Sequence, residues 1–186
     1  EAFSGLVLGN EVLDAMPVEL VMKAEDTWSR LGVSQHAGTE AIFSLVNMQD
    51  DQRHDENAPT WLRQIPEADT LPEGYISETH PVAQGFIRSV ASMLLAGQAQ
   101  SGTAGVSIWF DYGFPAHEYY LPLRDKGTLM CHYRHHAHPD PFYLPGLQDI
   151  TAHVDFSAMA RAGVEAGLDL LAYTSQAGFL LETSLT

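Results

Sequence analysis

The sequence predicts an α/β fold with parallel strands, on three observations. Two short apolar runs, Gly5-Leu-Val-Leu8 and Val106-Ser-Ile-Trp-Phe110, have the length and composition of buried strands. Each run stops abruptly at polar residues and a turn: Gly9-Asn10-Glu11 after the first, Asp111 with Gly113 and Pro115 after the second. An amphipathic stretch, residues 79–97, lies just before the second run, which is the αβ half of a βαβ unit. Open α/β sheets place their ligand crevice at the carboxyl ends of parallel strands. Asp111 therefore has two readings, the cap of a turn or the wall of a site.

The other elements follow in order. After Gly9-Asn10, residues Glu11 and Asp14 are three apart, so one helical turn ended by Pro17 carries both carboxylates on one face. Residues 18–23 alternate loosely as a strand, and residues 27–33 are its hairpin partner across Glu25-Asp26. Residues 49–72 are polar and dotted with Pro, and read as an exposed excursion inserted into the fold. The helix over 79–97 has Ser77 or Thr79 as its cap and Pro81 in its first turn. Val82, Phe86, Val90, Met93 and Leu94 form its apolar face, and Gly97 stops it. Glu78 reads as a solvated carboxylate at this helix start, with a crevice-facing role as the alternative. Asp155 or Thr151 begins a helix through Val164, ended by Gly167. Residues 168–174 read as a strand and residues 176–181 as a last helix.

Composition narrows the function. There are 9 Lys and Arg against 24 Asp and Glu, a net charge of −15. That field repels phosphate, so nucleic acid and anionic membrane surfaces are excluded as partners and a cationic ligand is favoured. The one cysteine, Cys131, allows no internal disulfide and suits a reducing compartment. No apolar run approaches a membrane span. The chain has no initiator Met and no signal-peptide pattern, and it opens almost at once into a strand. The expectation is a piece of a longer chain. A sheet short of its first strands would leave an open edge that favours association, a homodimer in the simplest case.

Several chemistries lack their residues. His132, His135, His136 and His138 crowd one stretch, yet no His pair four apart encloses a Glu on a helical pattern. A loop of structural or substrate-contacting histidines is favoured there, with no metal. There is no Gly-x-Ser-x-Gly elbow, no phosphate loop and no Gly-x-Gly-x-x-Gly, and Cys131 beside His132 is not a dyad. Tyr112, Tyr119 and Tyr120 surround the central turn, either packing a ligand or covering the sheet edge. Asp149-Ile-Thr-Ala-His-Val-Asp155 packs two acids, a Thr and a His into seven residues, and helix capping leaves Asp149 and His153 unexplained.

Four blocks together carry a family resemblance. They are Gly9-Asn-Glu-Val-Leu-Asp-Ala-Met-Pro-Val18, Asp111-Tyr-Gly-Phe-Pro-Ala-His-Glu-Tyr-Tyr120, Gly127-Thr128 and Pro145-Gly-Leu-Gln-Asp-Ile-Thr-Ala-His-Val-Asp-Phe156. In this order they resemble the MidA-type methyltransferases of bacteria and mitochondria, over residues 5–181. The resemblance implies a Rossmann-like methyltransferase sheet of seven strands, of which this chain is the C-terminal half. The family's glycine-rich cofactor loop and ribose-holding acid belong upstream of Asn10 and are not in this sequence. The implied cofactor is S-adenosylmethionine. The implied acceptor is an arginine of a partner protein, with a link to respiratory complex I assembly in mitochondrial members. The location is then cytoplasmic in a bacterium or the mitochondrial matrix in a eukaryote. The resemblance makes the Asn-Glu-x-x-Asp-Ala block functional. A planar guanidinium suits a bidentate carboxylate grip, which assigns Glu11 and Asp14 to the acceptor and His153 to the departing proton. Asn10 and Asp111 are expected on the cofactor side, and Tyr112, Glu118, Tyr119 and Asp149 on the acceptor side. The competing class is a non-catalytic assembly module that keeps the fold.

Overall fold

The computed structural model describes residues 2–35, 43–49 and 51–182. The first elements are β1 (Leu6–Asn10), β2 (Glu19–Ala24), β3 (Thr27–Gln35), β4 (Phe43–Asn47), α1 (Thr60–Arg63) and β5 (Ile76–Thr79). Next come α2 (Pro81–Ser101), β6 (Val106–Phe110), β7 (Gly113–Phe114), α3 (Ala116–Tyr119), β8 (Met130–Tyr133) and β9 (His136–His138). The chain continues through β10 (Asp149–Thr151), β11 (Val154–Asp155), α4 (Phe156–Glu165) and α5 (Gln176–Glu182). The fold is mixed α/β.

The two apolar runs pair as foreseen. β1 and β6 are parallel, with Leu6 opposite Val106 and Asn10 opposite Phe110, so both strands end at the same level. β7 and β11 form a second, short parallel pair just beyond. The hairpin of β2 and β3 also forms, and it grows into an antiparallel sheet in the order β4-β3-β2-β5. A third unit, β10-β8-β9, is antiparallel throughout.

Two apolar clusters hold these layers. One joins the antiparallel sheet to the segment before β5 and to α3, through Val21, Trp28, Leu62, Ile65, Tyr75 and Tyr119. The other packs α2 on α4 through Ala83, Ile87, Ala158, Met159 and Ala162, and takes in Leu13 from the turn after β1. Trp109 of β6 meets Phe86 of α2 edge to face at 5.5 Å, which fixes the helix on the parallel pair.

Several expectations change. The stretch 49–72 is not an exposed excursion throughout, because Ala58, Leu62, Ile65, Ala68 and Leu71 are core residues. Lys23 reinforces this: its buried Nζ donates to the carbonyls of Asp69 (2.6 Å) and Leu71 (2.8 Å). Polar residues between those apolar ones had masked the spacing. Ser77 and Thr79 do not cap α2, since both lie buried in β5; His80 is the N-cap residue. Val82 is exposed, and the buried face of α2 runs instead through Ala83, Ile87, Val90, Ala91 and Leu94. Gly97 does not stop the helix. A Cβ there would strike the Phe3 carbonyl, so this glycine admits the incoming chain, while Gly102 at φ 72° ends the helix. Residues 168–174 form no strand; Leu170, Leu171 and Tyr173 lie exposed. Asp155 does cap α4, its Oδ1 accepting from the Ala158 N–H at 3.1 Å.

Candidate active site at the strand ends

The parallel register brings the two polar clusters together. The Glu11 N–H donates to the Phe110 carbonyl at 2.8 Å, which continues the ladder one step past β1. Glu11 then adopts φ 50°, and the next three amides curl around one point instead of entering a helix. That point is Asp111 Oδ2, which accepts from the N–H groups of Val12 (3.1 Å), Leu13 (2.9 Å) and Asp14 (3.3 Å). Successive amides of this kind form an anion nest. Asp111 Oδ1 accepts from the Tyr112 N–H at 2.9 Å. Asp111 is thus a turn cap, for the turn of the neighbouring strand, and both its oxygens are engaged. The single helical turn expected for Glu11 and Asp14 is replaced by this nest.

The nest presents side chains of opposite character. Leu13 goes inward to the core. Glu11 is exposed, and its Oε1 accepts from the Tyr112 hydroxyl at 3.2 Å. Asp14 Oδ1 is buried with no hydrogen-bond partner among the described residues. Burial, and then the charge of Asp111, raise the Asp14 carboxyl above its ordinary range, with Glu11 and Asp149 adding to the rise. The charge of Glu11 and its hydrogen bond likewise raise the Tyr112 phenol. The 149–155 segment is stitched to both sides of this group, since the Ala152 N–H donates to the Asp14 carbonyl (3.0 Å) and the Val154 N–H to that of Tyr112 (2.7 Å). The structure therefore joins Asn10, Glu11, Asp14, Asp111 and Tyr112, with Asp149 near enough to be felt electrostatically.

The remaining expected residues lie elsewhere. Tyr119 is fully buried, and its hydroxyl donates to Glu78 Oε2 at 2.8 Å, so it belongs to the interior and not to an acceptor surface. Glu118 is exposed on α3, with Oε1 3.7 Å from His117 Nε2. His153 is half-buried, and its ring stacks on Phe114 with centroids 5.4 Å apart and planes at 20°. Of the crowded histidines, His132, His135 and His136 are exposed around the β8–β9 hairpin.

Glu78 is the residue that sequence reasoning undervalued. It is fully buried, not a solvated helix start. Its Oε1 accepts from the N–H groups of Thr128 (2.7 Å) and Leu129 (2.9 Å), and its Oε2 from Tyr119 and from Thr128 Oγ1 (3.2 Å). Gly127, at φ 73°, lets the chain approach this carboxylate, because a Cβ there would collide with it. Thr128 Oγ1 in turn accepts from the His153 N–H at 3.0 Å, and His80 Nε2 donates to the His153 carbonyl at 2.9 Å. Glu78 and His80 thus fix the backbone that carries His153. The only hint in the sequence was the Gly127-Thr128 pair, which has no meaning until β5 is placed beside it.

Comparison with known proteins now bears on the site. Residues 1–174 match the family described as "Putative S-adenosyl-L-methionine-dependent methyltransferase". The chain belongs to this family. No protein of curated function matches it. A solved structure from Burkholderia thailandensis, described as a "likely methyl transferase" bound to S-adenosyl-homocysteine, is 50% identical over the whole of this chain, with a TM-score of 0.82. A second, uncharacterized protein of the same superfamily from Burkholderia thailandensis is 45% identical over the whole chain, with a TM-score of 0.78. The chain spans 43% of the first structure and 46% of the second, less than half of either. Among the described residues no helix is long and apolar enough to cross a membrane.

The carboxylates at the strand ends fit the cationic part of the family's cofactor. A sulfonium or an ammonium is cationic, and the unpartnered Asp14 Oδ1 lies among further carboxylates.

Proposed function

We propose that the chain supplies the C-terminal half of a Rossmann-like, MidA-type methyltransferase, and that the strand-end crevice takes an arginine of a partner protein. The observation that carries this reading is the buried, unpartnered Oδ1 of Asp14 beside exposed Glu11, held in place by the Asp111 nest. The parallel β1–β6 pair with α2 leading into β6 supports the Rossmann-like half. Leu6, Leu8 and Val106 are exposed on that pair, which supports a covering by further structure of the intact protein.

Asn10, exposed at the end of β1, would hold the cofactor, which when bound supplies an electrophilic methyl group. Glu11 and Asp14 grip the guanidinium and align its nitrogen, and this positioning is where most of the acceleration arises. Tyr112 holds the Glu11 carboxylate in direction. The acceptor nitrogen gains the methyl group and sheds one proton, for which His153, in the segment stitched beside the cluster through Ala152, would be the base. A planar acceptor with five donors suits two carboxylates better than an ammonium does. The likeness to mitochondrial members makes a subunit of respiratory complex I the model acceptor in a eukaryote, and a cytoplasmic protein the acceptor in a bacterium.

The test uses the intact protein. Glu11→Gln should abolish methyl transfer to protein arginine while S-adenosylmethionine still binds in a calorimetric titration. Unchanged turnover would remove Glu11 from the site. Intact wild-type protein that never binds S-adenosylmethionine would make the fold a non-catalytic assembly module.

A further inference from the structure

Beside the acidic crevice lies a cleft of the opposite charge. It has a volume of about 350 Å³, and its walls include Phe114, Arg124, Lys126, Leu129, Met130 and His153. No Asp or Glu lines it, in a chain with 24 acidic residues against 9 Lys and Arg. Neither Arg124 nor Lys126 has an ion-pair partner among the described residues. Arg124 is also preset. Its Nη1 donates to the carbonyls of Glu118 (2.7 Å) and Tyr119 (3.2 Å), and its guanidinium carbon sits 4.1 Å from the centroid of the Phe114 ring. The ring of His153 stacks on Phe114 as well. The Glu78 carboxylate ties down the amides of Thr128 and Leu129, so the cleft wall has a fixed shape.

A preset guanidinium and an exposed ammonium beside apolar walls suit a carboxylate on a short apolar stem. A dianionic phosphate would meet the net −15 field twice over. The cleft also adjoins the crevice, because the residues on either side of His153 are the ones bonded to Asp14 and Tyr112. We propose that this cleft is an anion subsite of the acceptor site, receiving the carboxylate of an Asp or Glu close in sequence to the methylated arginine. The proposal rests on the reading of the crevice as an arginine site. Neighbouring sites of opposite sign would then select an Arg–acid pair and reject an isolated arginine.

The experiment is a calorimetric titration of the intact protein at low salt. The ligands are the peptide Gly-Glu-Gly-Arg-Gly-Glu-Gly, its counterpart with Gln for both Glu, a third with Gln for Arg, and free glutarate. The variants are Lys126→Gln, whose exposed side chain makes no hydrogen bond or ion pair among the described residues, and Arg53→Gln as a change of the same charge on another segment. Lys126→Gln should weaken the Glu peptide about tenfold, leave the Gln counterpart within twofold, and exceed the effect of Arg53→Gln. Equal effects on both peptides, or of both variants, would overturn the subsite. Glutarate binding as tightly as the Glu peptide would also overturn it, by making a free acid the ligand. If the third peptide binds like the first and keeps the Lys126 dependence, the anion subsite stands and the arginine reading falls.

Discussion

His80 gives the protein a stability that depends on pH in a defined window. Its ring is almost fully buried, Nε2 donates to the His153 carbonyl, and Nδ1 has no partner among the described residues. Burial pushes its pKa down to about 4, against an ordinary 6.5, and the hydrogen bond to His153 offsets only part of that shift. The folded protein therefore holds the ring neutral while the unfolded chain takes up a proton below pH 6.5. The contribution is full above pH 6.5, is lost as pH falls toward 4, and changes no further once both states are protonated. Each pH unit between the two values is worth about 1.4 kcal/mol, so between pH 7.5 and pH 5 the loss is about 2 kcal/mol. His80→Gln keeps a donor for the His153 carbonyl but cannot titrate. Urea unfolding of intact wild type and variant at a series of pH values isolates the effect, since other groups cancel in the difference. The variant should lose about 2 kcal/mol less than wild type over that interval. Parallel curves for the two proteins would refute the buried neutral imidazole.

Three further outcomes follow from the same structure. Asp111→Ala should cost about 2–3 kcal/mol in urea unfolding, because three amides of the nest and that of Tyr112 lose their acceptor. Asp111→Asn should cost less, and cofactor affinity measured by calorimetry should follow stability in both. Glu78→Ala should cost about 3 kcal/mol, since the amides of Thr128 and Leu129 lose their acceptor, and hydrogen exchange at those two amides should accelerate. Leu62→Ala should cost about 2–5 kcal/mol by thermal or urea unfolding, as for any filled core site, whereas an exposed excursion would tolerate it.

The local features of the chain were legible because they are local. Strand runs such as Val106–Phe110, the hairpin across Glu25-Asp26 and the Asp155 cap each follow from the preferences of a few neighbouring residues. The pairing of two strand-end clusters was also legible, since strands with similar stops must share an end if they run parallel. What those clusters do was not. Whether Asp111 faces a ligand or a backbone depends on amides 97 to 99 positions away, and only the register brings them within reach.

By itself, the sequence determined the α/β class, the acidic balance and membership of the methyltransferase family. The tertiary structure decided which carboxylates are committed to the fold. Asp111 and Glu78 satisfy buried or curled main chain, whereas Glu11 is exposed and Asp14 Oδ1 is left without a partner among the described residues. It also set Arg124 and Lys126 in one cleft with His153, some 27 to 29 residues further along the chain. The physical reason is the same in each case. A carboxylate or guanidinium has no role of its own until the fold fixes how many donors, acceptors and waters surround it.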